Sequence, residues 1–372
     1  MFLFLLFSLL CGILLLGVPE YRISNKYVWL VLVVLILYWG FSYANAPDTE
    51  GYMDFFNMIS GDGWVLDSLY GSAAGGMEPG TFVIMQLCKK VSGSYFFFQF
   101  VILSIDLFLT YWGLKKMTNS KTQPVVFLLL FAFGIPMYLS ALRQSVAIAI
   151  MIFCLPLFRD NKFYFYIPLL ILAIFFHQSA ILIFAVPLLM FLFGKTKIKW
   201  DSLQIFFIVI FVICNICYLL GISAGSLVER VFGDFVYDSS ISTNRELSIT
   251  NMEESNYGIL KIIEIDICYV IFFFSRLVKK DDTLRLFGIM FLVFFILNTL
   301  VGGIVIHRLT YYLRIPYYYV LFESLRALMV NGIKMKRTPA NMIVYLYMFA
   351  LFVVQSLIGS KYIFEYHLFD VI

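Results

Sequence analysis

Long apolar runs, separated by short polar connections, make up most of this chain. Runs such as Val101–Leu109 and Gly288–Val305 hold only two polar side chains each. A strand of a membrane barrel would alternate apolar and polar residues with a period of two, and these runs do not. A helix needs about 20 apolar residues to cross a bilayer. The pattern therefore predicts an all-α integral membrane protein, a polytopic bundle of about 12 transmembrane helices.

Twelve segments fit this description, and several are shorter than an ordinary span. They are residues 1–18, 28–44, 95–114, 124–142, 145–158, 163–177, 179–193, 203–221, 258–277, 284–306, 309–323 and 341–359. Short spans suggest a locally thinned bilayer, or helices that end around a wet cavity. Thr81–Cys88 is too short to span and is expected to lie at the interface.

The composition indicates the same class and excludes a soluble fold. Hydrophobic residues make up 62% of the 372 residues and charged residues only 13%, whereas a soluble domain carries about 25% charged residues. Phe alone occurs 41 times, which is more apolar surface than a soluble domain of this length could bury. No internal repeat marks a second domain, so residues 1–372 are predicted to form a single transmembrane domain.

Basic residues in the connections predict the orientation, because Lys and Arg concentrate in cytoplasmic loops. If residues 19–27 lie inside, the connections on that side hold 18 of the 27 Lys and Arg residues. This orientation places both termini and two long polar loops, 45–94 and 222–257, outside. Loops of this length in a compact protein are usually functional or disordered.

Several charged residues lie where the bilayer makes them costly, and most fall toward the predicted outer face. Arg143, His177 and Arg308 lie at the outer ends of spans, and Arg314 lies in the outer third of the next span. Charged groups in spans are expected to face water or the interior of the bundle, so each is a candidate for function. Asp106, near the middle of its span, is expected to be buried and hydrogen-bonded.

Each candidate also has a plain structural interpretation. Arg143 could contact lipid phosphate as an end-of-helix cation, although such cations are expected on the cytoplasmic face. His177 could cap a helix end through its ring nitrogens. Tyr311 and Tyr312 could belong to an interfacial aromatic belt, or they could stack against a sugar ring.

Sequence motifs for nucleotide hydrolysis and metal binding are absent. The chain has no Walker A motif, no His-x-x-x-His pair and no cysteine-rich set. We therefore expect no cofactor, no metal site and no nucleic-acid partner.

Four short motifs follow one another along the chain. They are Pro47–Tyr52 with Glu78–Phe82, Leu142–Ala147, Ala173–Ala180 and His307–Tyr312. In this order and spacing they resemble the EpsG family of bacterial exopolysaccharide and O-antigen polymerase-like proteins of the Wzy type. The resemblance covers most of the chain.

The resemblance implies that lipid-linked repeat units are polymerised at the outer leaflet of the bacterial cytoplasmic (inner) membrane. A glycan would pass from its undecaprenyl pyrophosphate to a sugar hydroxyl of another lipid-linked repeat unit. The expected partners are the undecaprenyl-pyrophosphate-linked oligosaccharide, membrane lipids, a chain-length regulator and a flippase.

Such a reaction suits the residue types seen, because arginines stabilise a departing pyrophosphate through charge-assisted hydrogen bonds. The acceptor hydroxyl would be helped by a general base, whose identity the sequence leaves open. The candidates are Arg143, Arg308 and Arg314 for pyrophosphate, Asp48, Glu78 and His177 for the base, and Tyr52, Tyr311 and Tyr312 for sugar.

Two other functions stay open at this stage. One is a multi-span glycosyltransferase that uses a polyprenyl-phosphate sugar, with Asp48 or Glu50 beside a divalent metal. The other is a transporter or flippase for a lipid-linked sugar, although such proteins often carry inverted repeats and this chain has none visible.

Overall fold

A computed structural model describes ten ranges of the chain. These are residues 2–43, 47–59, 78–118, 120–132, 141–184, 200–220, 259–274, 282–301, 304–359 and 367–368. The chain divides into two compact units, residues 1–180 with 334–372, and residues 181–333. That residues 1–372 form a single transmembrane domain stays a prediction.

The described residues contain thirteen α-helices, numbered here in chain order. The first unit holds α1 (Phe2–Gly17), α2 (Asn25–Gly40), α3 (Pro47–Met58), α4 (Pro79–Val91), α5 (Tyr95–Thr118), α6 (Gln123–Phe131), α7 (Leu142–Arg159), α8 (Phe163–Phe176) and α13 (Arg337–Gly359). The second unit holds α9 (Trp200–Leu219), α10 (Ile259–Phe274), α11 (Asp282–Ile296) and α12 (Ile304–Ala327).

Shorter elements join or extend these helices. Glu20–Arg22 and Gln178–Phe184 are 3-10 helices, and the π-helical segments Leu297–Val301 and Leu328–Gly332 continue α11 and α12. A two-residue antiparallel pair joins β1 (Ser42–Tyr43) to β2 (His367–Leu368).

The helices confirm the predicted all-α membrane class. Four are long and apolar enough to cross a bilayer, namely α5, α7, α11 with its π-helical extension, and α13. Three others, α1, α2 and α8, are apolar but shorter, and in α9 the apolar stretch is Ile205–Leu219. Each of the eight overlaps a predicted span.

The boundaries differ from the prediction around residue 304. The tenth predicted span extended to residue 306, whereas α12 begins at Ile304 and runs to Ala327. Gly302 and Gly303, immediately before Ile304 in the sequence, lie outside the described residues. The later parts of predicted spans 124–142 and 179–193 lie outside the described residues.

The predicted outer loop 45–94 contains two helices, α3 and α4. Pro79 opens α4, where its fixed φ suits the first helical turn, and Glu78 is the N-cap residue. The loop predicted at 222–257 lies outside the described residues.

Helices α5 and α7 run parallel in the first unit. Ser145 Oγ lies 2.5 Å from Asp106 Oδ2, so Asp106 is buried and hydrogen-bonded as predicted. Two turns further along both helices, a Cβ added to Gly113 would lie 2.3 Å from the carbonyl oxygen of Ile152. The same sequence offset at both contacts means that the two helices start at the same end of the unit.

Helix α2 runs antiparallel to α5. Gln99 Nε2, near the start of α5, donates to the carbonyl oxygens of Trp39 at 3.0 Å and Ser42 at 2.7 Å. The Trp29 ring, near the start of α2, lies 5.7 Å from the Phe108 ring. We call the end where α5 and α7 begin the Arg143 end, and the other the Arg159 end.

Helix α8 returns to the Arg143 end. It begins just after the Arg159 end of α7, where the Phe158 ring lies 5.4 Å from the Phe163 ring. At its far end, Phe175 closely approaches the start of α4, because a Cβ added to Gly80 would lie 2.9 Å from the Phe175 carbonyl oxygen. The first turn of α4 and the last turn of α8 therefore meet.

The second unit has an aromatic core between α10, α11 and α12. The Tyr317 ring stacks on Phe294 at 4.7 Å and on Phe291 at 5.6 Å. Its hydroxyl donates to Glu264 Oε1 at 2.5 Å, and the Tyr317 side chain is fully buried. This bond gives a buried carboxylate the partner that it needs.

Candidate functional site

Arg143 is the centre of a buried polar cluster drawn from three helices. Its Nε donates to the Tyr52 hydroxyl on α3 at 3.0 Å. Its Nη1 donates to Glu78 Oε2, which makes an ion pair with the N-cap residue of α4. The side chains of Arg143 and Glu78 are only 11% and 12% exposed. Arg143, Glu78 and Tyr52 are named the Arg143 cluster below.

Helix electrostatics do not favour Arg143 at this position. It lies in the first turn of α7, where the helix dipole is positive and stabilises anions instead. The N-cap residue, Ala141, has no side chain that could cap the helix. The uncapped N-terminus and the guanidinium therefore both contribute positive potential to the same place, which is suited to an anion.

Glu78 is oriented toward Arg143 instead of its own helix. The shorter side chains of Ser, Thr, Asp and Asn commonly cap a helix by accepting from a backbone N–H of the first turn, whereas Glu78 makes no such side-chain cap. The carboxylate is used for the ion pair with Arg143. Local helix stability therefore does not account for the pairing.

His177 ends α8 at the Arg143 end of the unit and is buried. The Ser179 amide N–H donates to its Nδ1 at 3.2 Å, and the Ser179 hydroxyl lies 2.6 Å from the same nitrogen. An amide can only donate, so Nδ1 is an acceptor and the proton of the neutral ring lies on Nε2. In this arrangement His177 presents a hydrogen-bond donor at Nε2.

Two buried hydroxyls lie one turn from the partners of Arg143. Thr49 precedes Tyr52 by three residues on α3, and Thr81 follows Glu78 by three residues on α4, so each shares a helix face with that partner. Both side chains are buried, and neither hydroxyl has a hydrogen-bond partner among the residues that the structure describes. Nothing in the sequence assigned these threonines a role, although Thr49 lies in the motif Pro47–Tyr52 and Thr81 in the motif Glu78–Phe82.

The other buried side chains of α4 are Met85, Gln86 and Cys88. Burial raises the pKa of the Cys88 thiol to about 11, so the thiol stays protonated at neutral pH. A protonated thiol is a poor nucleophile, which makes Cys88 a packing residue.

The other predicted arginines and two of the tyrosines lie on α12 in the second unit. The Arg314 guanidinium lies 4.2 Å from the centre of the Tyr311 ring, one turn earlier on the same helix. Tyr311 and Tyr312 are buried, with 8% and 3% of their surface exposed. Arg308 belongs to α12, but its side chain lies outside the described part.

Of the three candidate bases, the structure places Glu78 beside Arg143 and describes His177 at the end of α8. Asp48 belongs to α3, but its side chain lies outside the described part. Within the described ranges, no group of three or more His, Cys, Asp or Glu side chains could hold a metal ion.

Comparison with known proteins identifies the family. No curated protein and no solved structure matches the chain. The family model described as the EpsG family matches residues 25–368, which is nearly the whole chain and includes every candidate residue above. The chain belongs to the EpsG family, whose members are Wzy-type polymerases, and this membership implies a polysaccharide polymerase function in the membrane.

Proposed function

We propose that this chain joins lipid-linked repeat units into a polysaccharide at the outer leaflet of the bacterial cytoplasmic membrane. The donor is a glycan on undecaprenyl pyrophosphate, and the acceptor is a sugar hydroxyl of a second lipid-linked repeat unit. The bond from the sugar C1 to the pyrophosphate oxygen breaks, and a bond from C1 to the acceptor oxygen forms. The lipid pyrophosphate leaves with the electron pair, and a base takes the hydroxyl proton.

The observation that carries this proposal is the placement of Arg143. A buried arginine in the first turn of a helix is where a departing pyrophosphate would be stabilised. A desolvated arginine acts more strongly on developing charge than an exposed one, because little water screens it. Arg308 and Arg314 stay candidates for binding pyrophosphate, and Tyr52, Tyr311 and Tyr312 stay candidates for binding sugars.

The charge distribution of the first unit supports the outward orientation. Ten described basic residues lie at the Arg159 end, and three lie at the Arg143 end. Those at the Arg159 end are Arg22, Lys26, Lys115, Lys116, Lys121, Arg159, Lys162, Lys334, Lys336 and Arg337. Because Lys and Arg concentrate on the cytoplasmic side, the Arg143 end is assigned to the outside.

Hydrogen bonding favours Glu78 over His177 as the general base. His177 accepts from Ser179 through Nδ1, so its other nitrogen is a donor that suits a phosphate or sugar oxygen. Glu78 carries a carboxylate that can accept a proton, and it lies in contact with Arg143. We therefore assign proton acceptance to Glu78 and substrate contact to His177, with Asp48 as a candidate acceptor-binding residue.

Reconstituted protein tests the proposal directly. The purified chain in liposomes, supplied with one undecaprenyl-pyrophosphate-linked repeat unit, should produce glycans of two or more repeats. Gel or mass analysis of the released glycan measures their length. Only monomer after prolonged incubation, with the lipid merely moved across the bilayer, would identify a flippase instead.

The same assay distinguishes the proposed polymerase from a glycosyltransferase that uses a polyprenyl-phosphate sugar. A sugar on undecaprenyl monophosphate should not serve as donor, and EDTA should leave polymer formation unchanged. Use of the monophosphate donor with loss of activity in EDTA would indicate a metal-dependent glycosyltransferase.

A further inference from the structure

The guanidinium proposed to hold pyrophosphate is already occupied by a carboxylate. Glu78 and Arg143 form a buried ion pair, and Tyr52 accepts a second bond from the same guanidinium. Removing one partner of a buried pair leaves an uncompensated charge, so Arg143 without Glu78 needs another anion. The substrate brings that anion.

The carboxylate and the pyrophosphate cannot hold Arg143 together at low cost. Both are anions, and like charges a few ångströms apart repel strongly where little water screens them. The guanidinium fork accommodates one bidentate anion on a given edge. Occupation of the Nη1 edge of Arg143 by pyrophosphate therefore requires the Glu78 carboxylate to leave that edge.

We propose that Glu78 is an exchangeable counter-ion of Arg143, which the pyrophosphate of the donor displaces, and that the displaced carboxylate then acts as the base. This inference rests on the proposed function. The exchange keeps Arg143 paired both before and after binding. It also couples donor binding to activation of the base, because Glu78 is released only when a donor is in place. The acceptor hydroxyl then gives its proton to Glu78 as its oxygen bonds to the donor C1.

The surroundings allow the side chain to move while the helix stays fixed. The first turn of α4 is held against α8 by the close approach of Gly80 to the Phe175 carbonyl. Glu78 precedes this contact by two residues, so rotation of its own side chain is the available motion. The Thr81 hydroxyl lies one turn from Glu78 on α4, and the Thr49 hydroxyl lies one turn from Tyr52 on α3. Each can donate a hydrogen bond to the displaced carboxylate or to a phosphate oxygen.

Binding and turnover should respond in opposite directions to loss of the Glu78 charge. The probe is undecaprenyl pyrophosphate in detergent micelles, with undecaprenol as the uncharged control, measured by titration calorimetry on the purified chain. Glu78→Gln removes the competing charge and keeps the side-chain shape. We expect it to bind undecaprenyl pyrophosphate about tenfold more tightly and to lose polymer formation by about 100-fold or more.

Two further variants test whether the tighter binding of undecaprenyl pyrophosphate by Glu78→Gln depends on Arg143. The double variant Glu78→Gln with Arg143→Gln should lose the gain in binding. Asp54→Asn neutralises an exposed carboxylate two residues from Tyr52 on α3 and should leave binding and polymer formation as in the unmodified chain. A similar gain in Asp54→Asn would mean that any nearby negative charge competes, and the specific exchange would be overturned.

The outcomes separate this inference from the function on which it rests. If the unmodified chain binds the pyrophosphate lipid and Glu78→Gln binds it no better, the exchange is overturned and the polymerase proposal stands. If neither the unmodified chain nor any variant binds undecaprenyl pyrophosphate more tightly than undecaprenol, the proposed function itself fails.

A charge swap guards against misfolding of Glu78→Gln. Glu78→Arg with Arg143→Glu restores an opposite-charge pair and should yield folded protein that forms no polymer. Polymer formation at the unmodified level in this swap would show that the pair serves only the fold, which would overturn the exchange.

Discussion

The two ends of α7 carry one arginine each. Each makes an ion pair, Arg143 with Glu78 and Arg159 with Asp160, but the two differ in exposure and in their position relative to the helix dipole. Arg159 lies in the last turn, where the helix dipole favours a cation. It is more exposed than Arg143, and its Nη1 donates to the carbonyl oxygens that end α5, at 3.3 Å from Lys116 and 3.2 Å from Met117. Arg143 lies in the first turn, is buried and depends on Glu78 from another helix.

The comparison separates a residue that stabilises the fold from one that the fold must accommodate. Arg159 satisfies exposed carbonyl groups and faces an end rich in basic side chains. Arg143 opposes the dipole of its own helix and needs a buried carboxylate to offset its charge. Proteins keep such arrangements at functional sites, where local stability is given up for chemistry.

The sharpest test exchanges each arginine for lysine. Arg143→Lys keeps the charge and loses the planar fork, so polymer formation should fall by about 100-fold or more while protein levels stay near normal. Arg159→Lys is the matched control on the same helix and should polymerise normally. Cell-surface glycan measured against protein abundance gives both values. Normal polymer from both Arg143→Lys and Arg143→Ala would reduce Arg143 to a lipid anchor.

Cysteine labelling tests which end faces outward. In a cysteine-free chain, a membrane-impermeant maleimide added to intact spheroplasts should modify Asn57→Cys and spare Ser120→Cys. Asn57 is exposed on α3, and Ser120 lies at the Arg159 end, where its hydroxyl donates to Glu20 at 3.2 Å. Ser239→Cys should be labelled from outside too, because loop 222–257 is predicted there. The reverse pattern would place the Arg143 cluster on the cytoplasmic side.

The contact between α4 and α8 should be sensitive to a single methyl group. Gly80→Ala places a Cβ against the Phe175 carbonyl, and overpacking of this kind costs about 1–3 kcal/mol. We expect lower thermal stability and roughly tenfold less polymer, because the first turn of α4 shifts and carries Glu78 out of its position. Gly51→Ala on α3 has open space around it and is the control. Equal behaviour of the two variants would mean that α4 adjusts freely.

The smallest expected effect is at Tyr52. Tyr52→Phe removes the hydroxyl that accepts from Arg143 Nε, and a bond of this kind contributes about 0.5–1.5 kcal/mol. Polymer formation should fall between about twofold and tenfold. Tyr21→Phe, at an exposed position near the Arg159 end, should change nothing. A loss at Tyr52 as large as that at Arg143 would give Tyr52 a direct role with substrate.

Sequence reasoning identified the members of the site better than their partners. Arg143 and Glu78 were both named as candidates, but for separate roles, and their pairing across 65 residues was not predicted. Tyr52 was assigned to sugar, and the structure shows its hydroxyl bonded to Arg143. Asp106 was expected to be buried and hydrogen-bonded, and the structure identifies its partner as Ser145 of α7.

The sequence by itself determined the class, the approximate spans and the family. Apolar run length and charge spacing are local properties, and lipid makes them decisive because every backbone polar group must be satisfied within a helix. The packing of helices was decided only in the tertiary structure. The contact of Gly113 with Ile152 sets α5 parallel to α7, and that of Gly80 with Phe175 brings α4 to α8. Such contacts depend on which helix faces meet, and the hydrophobic pattern of a nearly all-apolar helix does not mark a face. The Arg143 cluster exists because packing of this kind brings the middle of α3 and the first turns of α4 and α7 together.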